Sequence, residues 1–196
     1  MRLDHNIIAQ LVTDQARVLD LGCGDGSLLQ LLQQQKSADI MGVEIDHDKF
    51  NQCVRKGVSV IEQNLDRGLD NFSSQSFDVV ILSQTLQALH RPDLVLQEML
   101  RIGGSGIVAF PNFGHWRSRL HLISQGRMPV SKFMPYDWYN TPNIHFCTVY
   151  DFESLCAERG IKILHRELTV GDKRLTGFSK LLPNLFSTTA IYHISR

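Results

Sequence analysis

The residues Val18-Leu19-Asp20-Leu21-Gly22-Cys23-Gly24-Asp25-Gly26-Ser27 carry a short apolar run into three closely spaced glycines, then into Ser27-Leu28-Leu29-Gln30-Leu31-Leu32, the opening of a helix. Glycine tolerates positive φ and leaves no Cβ between backbone and ligand, and the first N–H groups of a helix lack partners within it. Such a loop holds a small molecule with its main chain. Charge narrows the choice of molecule. A dinucleotide diphosphate takes a Gly-x-Gly-x-x-Gly loop with little negative charge nearby, whereas these glycines fall at 22, 24 and 26 between Asp20 and Asp25. Two carboxylates repel a diphosphate and suit a ligand carrying positive charge. A third acid, Glu44, ends the run Ile40-Met41-Gly42-Val43 and lies twenty residues after Gly24. A carboxylate there accepts hydrogen bonds from ribose hydroxyls. Positive charge and a ribose together point to S-adenosylmethionine, with its ammonium, its sulfonium and a carboxylate for the helix N-terminus.

Positioning these groups requires a strand before the loop, a helix after it and a second strand beside the first. The sequence supplies them in alternation. Arg17 to Leu21 reads as a first strand, with its helix from Ser27 to about Gln35; Met41 to Ile45 is a second, followed by a helix from about Asp48 to Lys56. Val58 to Ile61 and Phe77 to Leu82 are the third and fourth strands. Pro92-Asp93 opens a helix with apolar Val95, Leu96, Met99 and Leu100, and Gly106 to Phe110 is the fifth strand. Thr148-Val149-Tyr150-Asp151 predicts a capping box for a helix reaching Gly160, and Ile161 to Leu164 and Ala190 to Ile194 are two paired final strands. This alternation predicts a mostly parallel sheet covered on both faces.

Composition excludes several classes of function. At 196 residues and 43% hydrophobic content, the expectation is a single domain spanning 1–196 with a substantial core. Lys plus Arg equals Asp plus Glu at 20 each, so no overall field exists to hold nucleic acid or an anionic membrane. The longest aliphatic run, Val79-Val80-Ile81-Leu82, is too short to span a bilayer, and Met1-Arg2-Leu3-Asp4-His5 lacks the apolar stretch of a signal peptide. A cytoplasmic protein is expected. Cys23, Cys53, Cys147 and Cys156 form no Cys-x-x-Cys pair, so reduced core thiols are expected, with no metal site.

The arrangement resembles the class I S-adenosylmethionine-dependent methyltransferases. That resemblance implies an α/β, Rossmann-like three-layer sandwich with a seven-stranded sheet of order 3-2-1-4-5-7-6, strand 7 antiparallel. It implies cofactor contacts from Asp20, Gly22, Cys23 and Gly24 in the loop, and from Glu44 with its neighbour Ile45 at the ribose. Asn64 and Leu65 fall where adenine would lie, and Ser83 near the methionine end. Asn64 departs from the commoner Asp, though its amide oxygen can accept the same hydrogen bond. Longer strings narrow the resemblance: Ser83-Gln84-Thr85-Leu86-Gln87, Phe110-Pro111-Asn112-Phe113-Gly114-His115-Trp116-Arg117, Gly126-Arg127-Met128-Pro129-Val130 and Tyr139-Asn140-Thr141-Pro142-Asn143-Ile144-His145-Phe146-Cys147-Thr148. They are similar to the MetW family of bacterial methionine-biosynthesis proteins, which implies a role alongside homoserine O-acyltransferase, as accessory subunit or as methyltransferase. A methyltransferase acting on a small metabolite outside that pathway is the alternative.

The connection from Pro111 to Cys147 is long for an α/β unit and holds both tryptophans and four of the six prolines. Long connections at the carboxyl edge of a sheet form lids or partner surfaces. His115, Tyr136, Tyr139 and His145 are its candidates for a general base or orienting group. Methyl transfer from a sulfonium proceeds largely by alignment and desolvation, so a base is not obligatory. Arg117, Arg119 and Arg127 interleave with Trp116 and Phe133. Arginine with aromatics can stack nucleobases, but in a neutral chain this small cluster better suits a protein partner.

Overall fold

The computed structural model describes residues 2–131 and 135–196, so Phe133 of the arginine–aromatic cluster lies outside the described residues. Strands β1 (Arg17–Leu21), β2 (Asp39–Glu44), β3 (Val60–Glu62), β4 (Phe77–Ser83), β5 (Gly103–Pro111), β6 (Lys162–Val170), β7 (Lys173–Arg174) and β8 (Thr189–Ser195) form one sheet of order β3-β2-β1-β4-β5-β8-β6-β7. The first five run parallel, and β8 is antiparallel to both β5 and β6. The seven longer strands follow the expected path, and the architecture is the Rossmann-like α/β fold. An eighth strand is the difference. Gly171, at φ +58°, turns the chain so that Lys173 and Arg174 pair back onto Val170 and Thr169. A two-residue polar ribbon leaves no apolar pattern to read.

Helices α1 (Leu3–Leu11), α2 (Ser27–Lys36), α3 (His47–Arg55), α4 (Pro92–Ile102), α5 (Trp116–Gln125), α6 (Val149–Glu158) and α7 (Pro183–Phe186) complete the fold. The central strands are apolar on consecutive residues because both faces are covered. Along β4, Val79 and Ile81 join Ile7, Leu29, Leu32 and Cys53 on one side, while Val80 and Leu82 join Leu96, Met99 and Phe152 on the other. Asp20 shares the first of these faces with Val18 through the two-residue period of β1, and is a carboxylate inside an apolar layer.

Three helices were not anticipated from the sequence, the one-turn α7 and two longer ones. In α1, Leu3, Ile7, Ile8 and Leu11 sit at helical spacing, and their stripe packs against α2. The other, α5, is capped by His115, whose Nδ1 accepts from Arg117 N at 3.3 Å. The expected capping box of α6 is present at Thr148 and Asp151. Asn112 sets the direction of the chain as it leaves β5. Its Nδ2 donates to Asn184 O and Ser187 O, each at 2.9 Å, and its Oδ1 accepts from Gly114 N and Val149 N. Among the described residues, no helix is long and apolar enough to cross a membrane, and no group of three or more His, Cys, Asp or Glu is placed to hold a metal ion.

Candidate functional site

A cavity of about 930 Å³ opens where β1, β2 and β4 end. Doubly wound sheets bind ligands at these carboxyl ends. Asp20, Gly22, Cys23 and Gly24 line it from the first loop, Glu44 and Ile45 from the end of β2, Asn64 and Leu65 from beyond β3, and Ser83 from the end of β4. Residues far apart in sequence therefore share one wall.

Each glycine has its own reason. At Gly22, φ is +78° and a Cβ would run into Thr85, whose Oγ1 donates to Ser83 O at 3.1 Å. At Gly24, φ is +59° and a Cβ would meet nothing within 4 Å, so the residue leaves open space. The Gly24 N–H donates to Glu44 Oε2 at 2.7 Å, while Glu44 Oε1 accepts from Ile45 N and Asp46 N, both at 2.9 Å. Three of roughly four acceptor positions on the carboxylate are therefore filled by backbone. One remains for a ligand hydroxyl, and a second hydroxyl bond needs the Gly24 N–H to be released.

The two acids flanking the loop divide in role. Burial pushes the Asp25 carboxyl up, but Lys56 Nζ at 2.6 Å and the hydroxyl and N–H of Ser27 outweigh this and hold it down to about 2. Its charge is already met. Asp20 is the opposite case, 2% exposed and pushed up to about 7, first by desolvation and then by the charge of Glu44. Among the described residues its Oδ1 has no hydrogen-bond partner, and neither does the buried Ser83 Oγ. Buried polar atoms are rarely left unpaired, so two on one cavity wall mark a place for a ligand's donors. A cationic group would satisfy Asp20 and hold it ionised. The donor set thus fits a ligand with positive charge and hydroxyls.

Other expected residues stand differently. Asn64 Oδ1 accepts from Asp66 N at 2.9 Å, capping a short 3-10 turn at Leu65–Arg67, so the oxygen assigned to adenine is partly engaged. Burial pushes the Cys23 thiol well up, which removes it as a nucleophile. Of the four candidates for a base, Tyr136 alone lines this cavity. His115 lines a separate one, Tyr139 is exposed beside Trp138, and His145 Nε2 lies 3.4 Å from His90 O. Sequence reasoning missed Arg2 and His5, which line the cavity from the N-terminal segment, whereas Gln84 lines it within the Ser83–Leu86 segment that the resemblance places at the methionine end. Gln84 takes φ +60° and donates its N–H to Ala109 O at 2.7 Å, a strained conformation on the cavity wall. Only the helical spacing of Leu3, Ile7, Ile8 and Leu11 signalled any of these.

Residues 2–194 match the family described as "Methionine biosynthesis protein MetW". The chain belongs to the MetW family. A relative from Rhodopirellula baltica, named "Bifunctional methionine biosynthesis protein MetXA/MetW", is 34% identical over 172 residues, covering 83% of this chain. The chain spans only 28% of that relative's length. Solved structures share the fold at low identity. An S-adenosylmethionine-dependent methyltransferase from Mesorhizobium loti superposes with TM-score 0.70 at 15% identity, covering 99% of this chain and 98% of the other. One from Archaeoglobus fulgidus gives 0.68 at 15%, covering 99% and 91%. A third, named as the [4+2]-cyclase SpnF, gives 0.69 at 17%, covering 98% and 80%. This MetW-family chain is thus a methionine-biosynthesis-associated protein with a methyltransferase fold. A cyclase among its neighbours means that the fold does not by itself decide the reaction.

Proposed function

We propose that the cavity binds S-adenosylmethionine, and that the protein acts in methionine biosynthesis as an accessory subunit of homoserine O-acyltransferase. The observation that carries the first part is the pair of buried atoms, Asp20 Oδ1 and Ser83 Oγ, that have no partner among the described residues and belong to residues of an acidic wall. Glu44 accepts a ribose hydroxyl at its remaining position, and Asp20 faces the positive charge. Asn64 and Leu65 border the adenine, while Gly22, Cys23, Gly24 and Ile45 supply backbone and shape. When bound, the cofactor supplies a methyl group on a sulfonium.

The relative that carries both names in one polypeptide supports the second part, because fusion keeps two activities at high effective concentration. The 111–147 segment is the proposed partner surface or lid. Its exposed Trp116, Leu120, Ile123, Trp138 and Tyr139 are the kinds of side chain that anchor protein interfaces. Tyr136 on the cavity wall favours a second reading, methyl transfer to an acceptor held beneath that segment.

Calorimetric titration with S-adenosylmethionine and S-adenosylhomocysteine tests the cavity, with Glu44→Gln as control. Saturable binding that the variant weakens is expected, and no binding of either ligand refutes the cofactor reading. Acyltransferase activity with and without the protein tests the partnership, and formation of S-adenosylhomocysteine in the same mixture decides between the two readings.

A further inference from the structure

A second cavity, of about 500 Å³, meets the first at Pro111, a residue common to both walls. The first turns of α5 form one side of it, with His115, Trp116, Arg117, Ser118 and His121. Pro129 to Ser131 and the turn after β6 form the rest. The two cavities differ in their acids, since the first also holds Arg2, His5 and Lys49. Asp20, Asp25, Glu44, Asp46 and Asp66 all border the first, whereas no carboxylate is found on the described lining of the second. In place of acids it carries one arginine and two histidines.

Their hydrogen bonding indicates what they offer. His115 Nδ1 accepts from Arg117 N at 3.3 Å to cap α5, so the neutral ring carries its proton on Nε2 and that edge is a donor. Burial, and then the neighbouring Arg117, lower the His115 pKa and keep the ring in this neutral form. The Arg117 guanidinium lies 5.3 Å from the centre of the Trp116 ring, positioned by the indole face. By contrast, Asn112 and Thr188 spend their polar groups within the fold. Asn112 bonds Asn184, Ser187, Gly114 and Val149, and the Thr188 hydroxyl donates to Thr169 O and accepts from Gly171 N. The apolar part of the lining comes from Trp116, Pro129, Val130 and Val170.

We propose that this second cavity binds a small organic carboxylate with an apolar body, its anion beside Arg117 and the histidines and its body against Trp116, Pro129 and Val130. The site stands apart from the cofactor reading, whose test addresses the other cavity. Its position next to that cavity makes it a receptor for a second ligand present at the same time.

The probe is 4-(trifluoromethyl)phenylacetate, followed by fluorine NMR during titration with the full chain, beside its uncharged amide. Saturable binding of the carboxylate is expected, with the amide weaker by about tenfold because one charge-assisted contact is lost. Arg117→Gln should weaken the carboxylate by a similar factor and leave the amide unchanged. Val130→Glu, at an exposed position that folding tolerates, should abolish carboxylate binding by placing an acid on the wall. His115→Asn keeps an oxygen to cap α5 while removing the ring donor, and should also weaken binding. Absence of saturable binding overturns the proposal. Equal affinity for the amide does too, as does carboxylate binding indifferent to both Arg117→Gln and Val130→Glu.

Discussion

Replacing Asp20 by Asn should make the ligand-free protein more stable at alkaline pH while weakening its hold on a cation. The Asp20 carboxyl is raised from its ordinary 3.8 to about 7, so the folded state holds its proton more tightly than the unfolded chain does. Below pH 3.8 both states are protonated and burial of the ionised form costs nothing. Between that value and 7 the unfolded chain ionises first, and stability falls as pH rises. At about 1.36 kcal/mol per unit, this cost is about 1.6 kcal/mol at pH 5 and about 4 kcal/mol at pH 8. Asparagine has no charge to desolvate, but its amide introduces donors that need partners, at about 2 kcal/mol independent of pH. The variant should therefore gain about 2 kcal/mol at pH 8 and nothing at pH 5. For a chain of this size that gain raises Tm by about 4–8 °C. Thermal denaturation of both proteins across pH 5 to 8 measures the difference, and subtraction removes every other titrating group. A difference in Tm that is constant with pH would refute the burial argument. In the same variant S-adenosylmethionine should bind about tenfold more weakly above pH 7, and wild-type binding should release protons at pH 6.

Glu44→Gln replaces one acceptor by an NH2 group, which faces either the Gly24 N–H or those of Ile45 and Asp46; a loss of about 1–2 kcal/mol in urea unfolding and at least tenfold in S-adenosylmethionine affinity is expected. Asn112→Ala removes the partner of Gly114 N–H and a donor to the Asn184 and Ser187 carbonyls, while Val149 N–H keeps Asn184 Oδ1, and should cost about 3–5 kcal/mol, read as a lower urea midpoint. Gly22→Ala forces a side chain into Thr85 at a left-handed φ, and should lower Tm by several degrees, at about 2 kcal/mol. His115→Ala removes the cap of α5 for about 1 kcal/mol, whereas His115→Asn restores most of it, a pattern that a purely catalytic histidine would not give.

What the sequence determined by itself was the local part of the design. Runs such as Val79 to Leu82 are strands buried on both faces, Thr148 and Asp151 form a capping box, and the step from Leu21 to Ser27 is a strand, loop and helix; these depend on residues within a few positions of each other. The twenty-residue separation of Gly24 and Glu44 was legible because parallel pairing of adjacent strands brings such residues together, and the structure joins them by a hydrogen bond. Tertiary structure decided which charges remain available. Asp20 and Asp25 look equivalent in sequence, yet Lys56, reached across α3, neutralises one, while the apolar layer around Val18 strips water from the other. It also decided that His115 and Tyr136 line different cavities, because Asn112 ties the end of β5 to residues more than seventy positions later and so directs α5. Local propensity follows from the backbone of a few residues, whereas desolvation and pairing depend on what the rest of the chain packs against them.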